Sequence, residues 1–415
     1  MKRISTNLPN NDMQYYMRGR EHDMNSVSNK MAAQTRVLNL RDDPAAAAHS
    51  TRYASLMQRL GRFSQNVAYA QDNHRITEGR VGEAVDVLQR VRELAVQGSN
   101  GTYTKDQLAI MGQEVNQLLN QLVEIANARN GDGTMIFSGD KSKSLPFRPV
   151  EGSVAGTGEK VFTNVEYIGS IGVNRTEISD GAYARINFPG NEVFWAENQQ
   201  LFPTVDASSY QVGADTAVFI DGVEIALKEG DTIHAIIAKI NDSAAPVKAK
   251  LDPVRNSLLL QTTTAHQMWL RDGEDGRVFQ DLGILRDAQT PPPGNLNHTA
   301  RVFGGSVFDM VIKLRDDMYQ GQSFEIGGRG IKGIDNALES MTSTLGAIGA
   351  QGTRLEITYA RLATERNNVT SLNSSTIDLD MSKAIMDYKM LELTHKAALG
   401  VAGRILQPTL LDFLR

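Results

Sequence analysis

The sequence predicts an elongated α+β protein, a helical coiled-coil rod formed by N- and C-terminal segments with an inserted β-rich domain. Three observations predict it. Apolar residues recur in alternating steps of three and four from Tyr53 to Ala95, through Leu56, Leu60, Phe63, Val67, Ala70, Val81, Ala84, Leu88 and Val91, with only His74 and Thr77 interrupting. A repeat of this kind holds one apolar seam on a helix, and sustained over many turns it requires partner helices along its length. The same period returns from Ile334 to Thr376. Between the two, residues 145–290 carry short alternating runs divided by glycine turns, the pattern of strands.

The first 43 residues form an N-terminal assembly helix. Met17, Met24, Met31 and Leu38 fall seven apart with Val27 between them, while Arg20 and Gln34 break the face. Methionine gives such a face an adaptable surface, and a helix this polar does not hold itself together alone in water. Arg41-Asp42-Asp43-Pro44 then interrupts the chain, with Asp as N-cap and Pro at the first helical position. Residues 44–140 are the N-terminal helical hairpin of the rod. Its first helix stops before Gly98-Ser99-Asn100-Gly101, and Thr104 with Gln107 forms a capping box for the second. That helix carries Leu108, Met111, Val115, Leu118, Leu122 and Ile125 and ends near Asn130-Gly131-Asp132-Gly133.

Residues 141–300 form the inserted domain. Val161-Phe162, Val165–Ile168 and Ala184–Phe188 read as strands, and Ala217–Ile225 as a hairpin about Asp221-Gly222, a pair suited to a type I′ turn. Asp231 and Thr232 start a short helix with Ile233, Ile236, Ile237 and Ile240, followed by strands at Val247–Leu251 and Leu258–Gln261. Pro291-Pro292-Pro293-Gly294 closes the insertion as a stiff linker. In residues 301–375 the rod resumes: Val307, Val311, Leu314 and Met318 mark one helix, ended by Gly321. The longest seam follows, through Ile334, Leu338, Met341, Leu345, Ile348, Leu355, Tyr359, Leu362 and Val369. Residues 376–415 are the C-terminal assembly helix, with Met381, Ile385, Tyr388, Leu391, Leu399, Ala402 and Ile405, stopped near Gln407-Pro408. This order sets both termini at one end of the rod and lets the terminal helices pair. Packing within the rod falls to Leu60, Phe63, Val67, Val81, Leu88, Val91, Leu118, Leu122, Leu338 and Leu345.

Composition narrows the function. With 43 basic and 48 acidic side chains and a net charge of −5, nothing marks a nucleic-acid partner. No run of eighteen apolar residues occurs, so membrane insertion is not expected, and Met1–Asn10 lacks the apolar core of a secretory signal. The absence of cysteine excludes disulfides and thiolate metal sites and suits a chain exported unfolded.

Local motifs resemble those of the flagellin superfamily of axial flagellar proteins. Arg41-Asp42-Asp43-Pro44-Ala45 is similar to the turn between that family's first helix and its long coiled-coil helix. Leu345-Gly346-Ala347 with Arg354-Leu355-Glu356 resembles its returning helix, although Thr353 stands where the family motif has Asn. Asn367-Asn368 through Ser375-Thr376-Ile377-Asp378-Leu379-Asp380-Met381 resembles the stretch preceding its terminal helix. Met135–Gly139 and the run from Tyr167 to Phe194 are similar to the hook-associated branch at the hook–filament junction, and residues 217–285 look like the flagellin "IN" repeat, with Ile240-Asn241 at the helix end. The resemblance implies a non-catalytic adaptor that self-assembles in a helical ring between the first hook-associated junction protein and flagellin subunits. It implies export by the flagellar type III apparatus, with an export chaperone. It places Met17, Met24, Val27, Met31, Leu38, Met381, Ile385, Tyr388, Leu391, Leu399 and Ile405 in the axial core between subunits.

No constellation for catalysis, a cofactor or a metal accompanies these patterns. The seven histidines form no His-x-x-x-His pair. Gly156-Thr157-Gly158-Glu159-Lys160 lacks the ending of a P-loop and reads as a hairpin turn, and Asp272–Gly276 misses the EF-hand spacing. Filament flagellin is the alternative reading; a glycan hydrolase carried on the insertion has no carboxylate pattern behind it.

Overall fold

The computed structural model describes residues 8–405 except 157–158, 275 and 288, with side chains described from residue 11 to 403. Its contacts divide the chain into two units, residues 66–359 and residues 1–65 with 360–415. The helices α2 (Pro44–Ser99) and α9 (Ile331–Ile377) contribute a segment to each.

In the 66–359 unit, four helical segments share one core: the second half of α2, α3 (Lys105–Ala126), α7 (Val307–Gln320) and the first part of α9. The heptad seam accounts for the burial. Val67, Val81, Leu88 and Val91 are wholly enclosed, and the two interruptions, His74 and Thr77, are enclosed with them. The loop after α2 turns at Gly101 (φ 64°), and the capping box then forms: Thr104 Oγ1 accepts from Gln107 N and Gln107 Oε1 accepts from Thr104 N. Helix α3 stops at Ala126, short of the Asn130 turn, because Asn127 leaves the helix to clamp the next strand. Its Oδ1 accepts from Phe147 N at 3.0 Å and its Nδ2 donates to Phe147 O at 2.9 Å. Ser306 and Asp309 cap α7, and Gly321 ends it in the left-handed region that glycine adopts freely. Gly112 lets α3 and α7 approach closely, since a Cβ there would lie 3.1 Å from the Tyr319 ring. A short helix, α8 (Ser323–Glu325), and a π turn over Ile326–Gly330 lead into α9.

An aromatic cluster ties the ribbon of β1 (Phe147–Ser153) and β2 (Lys160–Tyr167) to this core. Phe147 lies 5.1 Å from Phe308 and 5.3 Å from Phe194, which in turn meets Phe137 at 5.0 Å. Gly139 (φ 72°) makes the exit that buries Phe137, and any Cβ there would collide with Ser170 O at 2.2 Å. A second ribbon, β3 (Arg175–Ser179) with β4 (Ala182–Arg185), lies against α2 at His74. The strand expected to continue to Phe188 ends at Arg185, because Phe188 turns into the core beside the His74 ring, 5.0 Å away. The one-turn helix α4 (Gly190–Val193) follows.

The remainder of this unit has its own core. The sheet order is β10-β6-β7 in one sheet and β11-β5-β9-β8 in the other. These are β5 (Gln200–Phe202), β6 (Thr216–Ile220), β7 (Val223–Leu227), β8 (Val247–Leu251), β9 (Leu258–Thr262), β10 (Leu270–Asp272) and β11 (Arg301–Phe303). Asp221 (φ 50°) and Gly222 (φ 81°) turn the β6–β7 hairpin, both with the positive φ of a type I′ turn. Helix α5 (Ile233–Asp242) buries Ile233, Ile236 and Ile240 against the strands. Thr232 occupies its N-cap without a side-chain bond; the neighbouring Asp231 instead accepts from Lys228 N and pairs with Lys239. The helical turn α6 (Val278–Asp281) closes this core over Asp272.

Candidate assembly interface

In the other unit, α1 (Leu8–Ala33) lies against α10 (Met381–Ile405). The pairing begins at the turns. Gln34, held at φ 55°, ends α1 and gives its carbonyl to Leu379 N at 3.1 Å; Arg36 N donates to Ile377 O at 2.7 Å. Farther along, Arg20 Nη1 donates to Thr394 O at 2.7 Å, so the two helices run antiparallel. Asp380 starts α10 by accepting from Lys383 N at 3.0 Å.

The Asp42-Asp43-Pro44 turn fixes where α1 hands over to α2. Asp42 Oδ2 accepts from Leu38 N and Asn39 N, both at 3.1 Å. Asp43 Oδ1 accepts from Ala46 N at 3.0 Å as the cap of α2, while its other oxygen pairs with Arg36, also at 3.0 Å. These backbone donors hold both carboxyls below the usual carboxylate range. Arg36 also donates to Thr376 O, so one guanidinium joins the end of α9 to the start of α2.

Met17, Met24, Val27 and Met31 are half-buried, as are Tyr388 and Leu391 across from them. The pairing places those residues together. It does not enclose Leu38, which lies beyond the end of α1, nor Met381, Ile385 and Leu399, all of which are exposed. The side chain of Ile405 and the Gln407-Pro408 stop lie outside the described residues. What α10 buries most deeply is small: Ala384 and Ala402, with Tyr388, Leu391, His395 and Ala398 completing a seam in steps of three and four. Picking out the largest apolar residues passes over this seam; a search for alanines at heptad spacing finds it.

A second apolar stripe runs along α10 with none of the described residues against it. Met386, Met390 and Leu393 are 66%, 66% and 67% exposed, and Val401 extends the line. On α1, Tyr15 and Tyr16 are exposed together, their rings 5.8 Å apart. A groove of about 610 Å³ between the helices is lined by Met13, Tyr16, Met17, Ala397, Ala398 and Val401. Contiguous exposed apolar surface of this kind is the character of an interaction site.

The residues assigned to rod packing have a different setting. Leu60, Phe63, Val67, Val81, Leu88, Val91 and Leu122 are buried; Leu118, Leu338 and Leu345 are partly buried against the helical core. Leu119, adjacent to Leu118, is the deeper residue of α3. Among the described residues no group of His, Cys, Asp and Glu is arranged to hold a metal, and no helix is long and apolar enough to cross a membrane.

The architecture is of a definite class, terminal helices that pair with each other and β-rich modules inserted between them in the chain. Three family models match in that order: the bacterial flagellin N-terminal helical region over residues 4–142, the flagellin hook IN motif over 210–264 and the bacterial flagellin C-terminal helical region over 331–414. The chain belongs to the flagellin superfamily. Among its relatives, flagellar hook-associated protein 3 of Escherichia coli is 26% identical over 147 residues, 35% of this chain and 46% of that protein. Polar flagellin C of Vibrio parahaemolyticus is 22% identical over 410 residues, 97% of this chain and 96% of that protein. The chain spans 46% of each of the first two curated relatives it matches. Of solved structures, the flagellar hook associated protein-3 from Legionella pneumophila is 18% identical, with 79% of this chain and 97% of that one covered and a TM-score of 0.44.

Proposed function

We propose that this chain is a structural, non-catalytic subunit of the bacterial flagellum, a junction adaptor that connects hook to filament by packing its terminal helices in the axial core. The observation that carries it is α10, which uses one face on α1 and leaves Met386, Met390 and Leu393 uncovered on another. A helix pair of this size cannot enclose two apolar faces, so neighbouring copies are required to cover the second. Met17, Met24, Val27 and Met31 with Tyr388 and Leu391 build the pair, while Met381, Ile385 and Leu399 face a neighbour. The partners are other copies in a helical ring, the first hook-associated junction protein on one side and flagellin on the other. Export through the flagellar type III apparatus with a chaperone fits a chain without cysteine.

Likeness to hook-associated protein 3 supports the junction reading. A second reading, filament flagellin, is favoured by the match to polar flagellin C over nearly the whole chain. Immunolabelling separates them: one band at the hook tip for the adaptor, label along the filament for flagellin. Deleting residues 377–415 tests the shared claim. Loss of filaments is expected, with filament protein released into the medium; filament-bearing, motile cells would contradict it.

A further inference from the structure

Within the 66–359 unit, a cavity of about 270 Å³ lies among the β3–β4 ribbon, α2 and α9. His74 lines it from α2, Arg175, Tyr183 and Arg185 from the ribbon, and Gln351 and Arg354 from α9. No carboxylate is among its lining residues. Arg175 stands directly across from Arg185 in the antiparallel register, and like charges so placed repel. Arg185 is answered elsewhere: Glu192 pairs with it at 2.6 Å, and its guanidinium lies 4.6 Å over the Phe188 ring. Among the described residues the guanidinium groups of Arg175 and Arg354 form no ion pair. The carboxylate nearest to Arg175 in sequence, Glu177, is turned to Gly181 N at 3.3 Å.

His74 supplies an independent observation. It is only 2% exposed, its Nε2 lies 2.7 Å from Arg185 O, and its Nδ1 has no hydrogen-bond partner. A carbonyl only accepts, so Nε2 carries the proton and Nδ1 is left with an unused lone pair. His74 is thus held by the ribbon as one wall of the cavity, and two guanidiniums without a carboxylate partner among the described residues face the same space.

We propose that this cavity is an oxyanion site that takes a phosphate group, gripped by Arg175 and Arg354 with Tyr183 and Gln351 at its rim. Guanidinium groups present paired donors that match the oxygens of phosphate. Inorganic phosphate and glycerol 3-phosphate both present such oxygens. The site is independent of the terminal helices and of the junction role.

The test is calorimetric titration of the full chain at pH 8 with inorganic phosphate and, in parallel, glycerol 3-phosphate, against sodium chloride of matched ionic strength. Saturable binding is expected, weakened about ten-fold or more in Arg354→Gln and in Arg175→Gln, each of which removes a charge-assisted contact. Both side chains are exposed, so melting in chloride should stay at the parent value. Arg52→Gln, an exposed change on the other unit, should leave binding untouched. Tighter binding of inorganic phosphate assigns a free ion, and tighter binding of the ester assigns a phosphorylated group; each supports the site. Heat no greater than with chloride, or equal affinity in Arg354→Gln and the parent, overturns it.

Discussion

The helical core of residues 66–359 and the α1–α10 pair are written in the same heptad code, yet they end in opposite states. In the core, seams of four helical segments converge, and Val81, Leu88 and Val91 lose all contact with solvent. In the terminal pair only two helices meet, and they enclose two alanines and half-bury methionines while a second stripe stays exposed. A seam shows that a helix needs partners; the number of partners its own chain supplies decides whether it is core or interface. The core is complete in one molecule. The terminal pair, on the proposed function, is completed by neighbouring copies.

The largest expected effect separates the two regions. Leu88→Ala, inside the core, should cost about 2–5 kcal/mol through lost burial and the cavity left behind. The paired change Met390→Ala with Leu393→Ala, on the exposed stripe of α10, should cost less than about 0.5 kcal/mol each in the isolated chain. Guanidinium unfolding measures both, and the reverse order would break the distinction.

The second effect is pH dependence, and it differs in sign between regions. Burial pushes the Asp272 carboxyl up to about 6, against the lowering by Phe279 N and Gln280 N that donate to it. A folded value above the unfolded one stabilises at low pH, and that contribution is lost as pH rises through about 6. The parent should lose up to about 3 kcal/mol between pH 4 and pH 8, and Asp272→Asn should flatten the profile in thermal melts. On α10 the opposite holds. Lys396 and Lys389 flank Glu392 and lower its carboxyl to about 2. A lowered value stabilises above the ordinary carboxylate range and is lost as pH falls toward about 2. Because Glu392 is solvent-screened, this is the smallest effect: Glu392→Gln should reduce helicity slightly, and high salt should abolish the difference.

The core is the more legible region because its signals are local and repeated. The 3-4 seam of α2, the Thr104–Gln107 capping box and the Asp221-Gly222 turn each depend on residues a few positions apart. His74 looks like a flaw in the seam until the ribbon that ends at Arg185 is in place, 111 residues further on, and nothing near His74 announces it. The terminal pair is harder for a different reason. Close helix contact favours small side chains, so Ala384 and Ala402 go inside while Met381, Ile385 and Leu399 face out. Ranking by hydrophobicity selects the outward residues, which suit a neighbour, and overlooks the inward ones.

On the proposed function, the outward stripe of α10 is covered by another subunit in the assembled flagellum. The chain has no cysteine, so Met390→Cys introduces a single thiol at the middle of that stripe. Flagella sheared from cells carrying this variant are treated with a monofunctional maleimide, beside the same protein as free monomer. Coverage by a neighbouring subunit predicts a thiol protected from alkylation in the flagella and freely alkylated in the monomer. Equal, rapid alkylation in both states would show the stripe to be uncovered and would contradict the account.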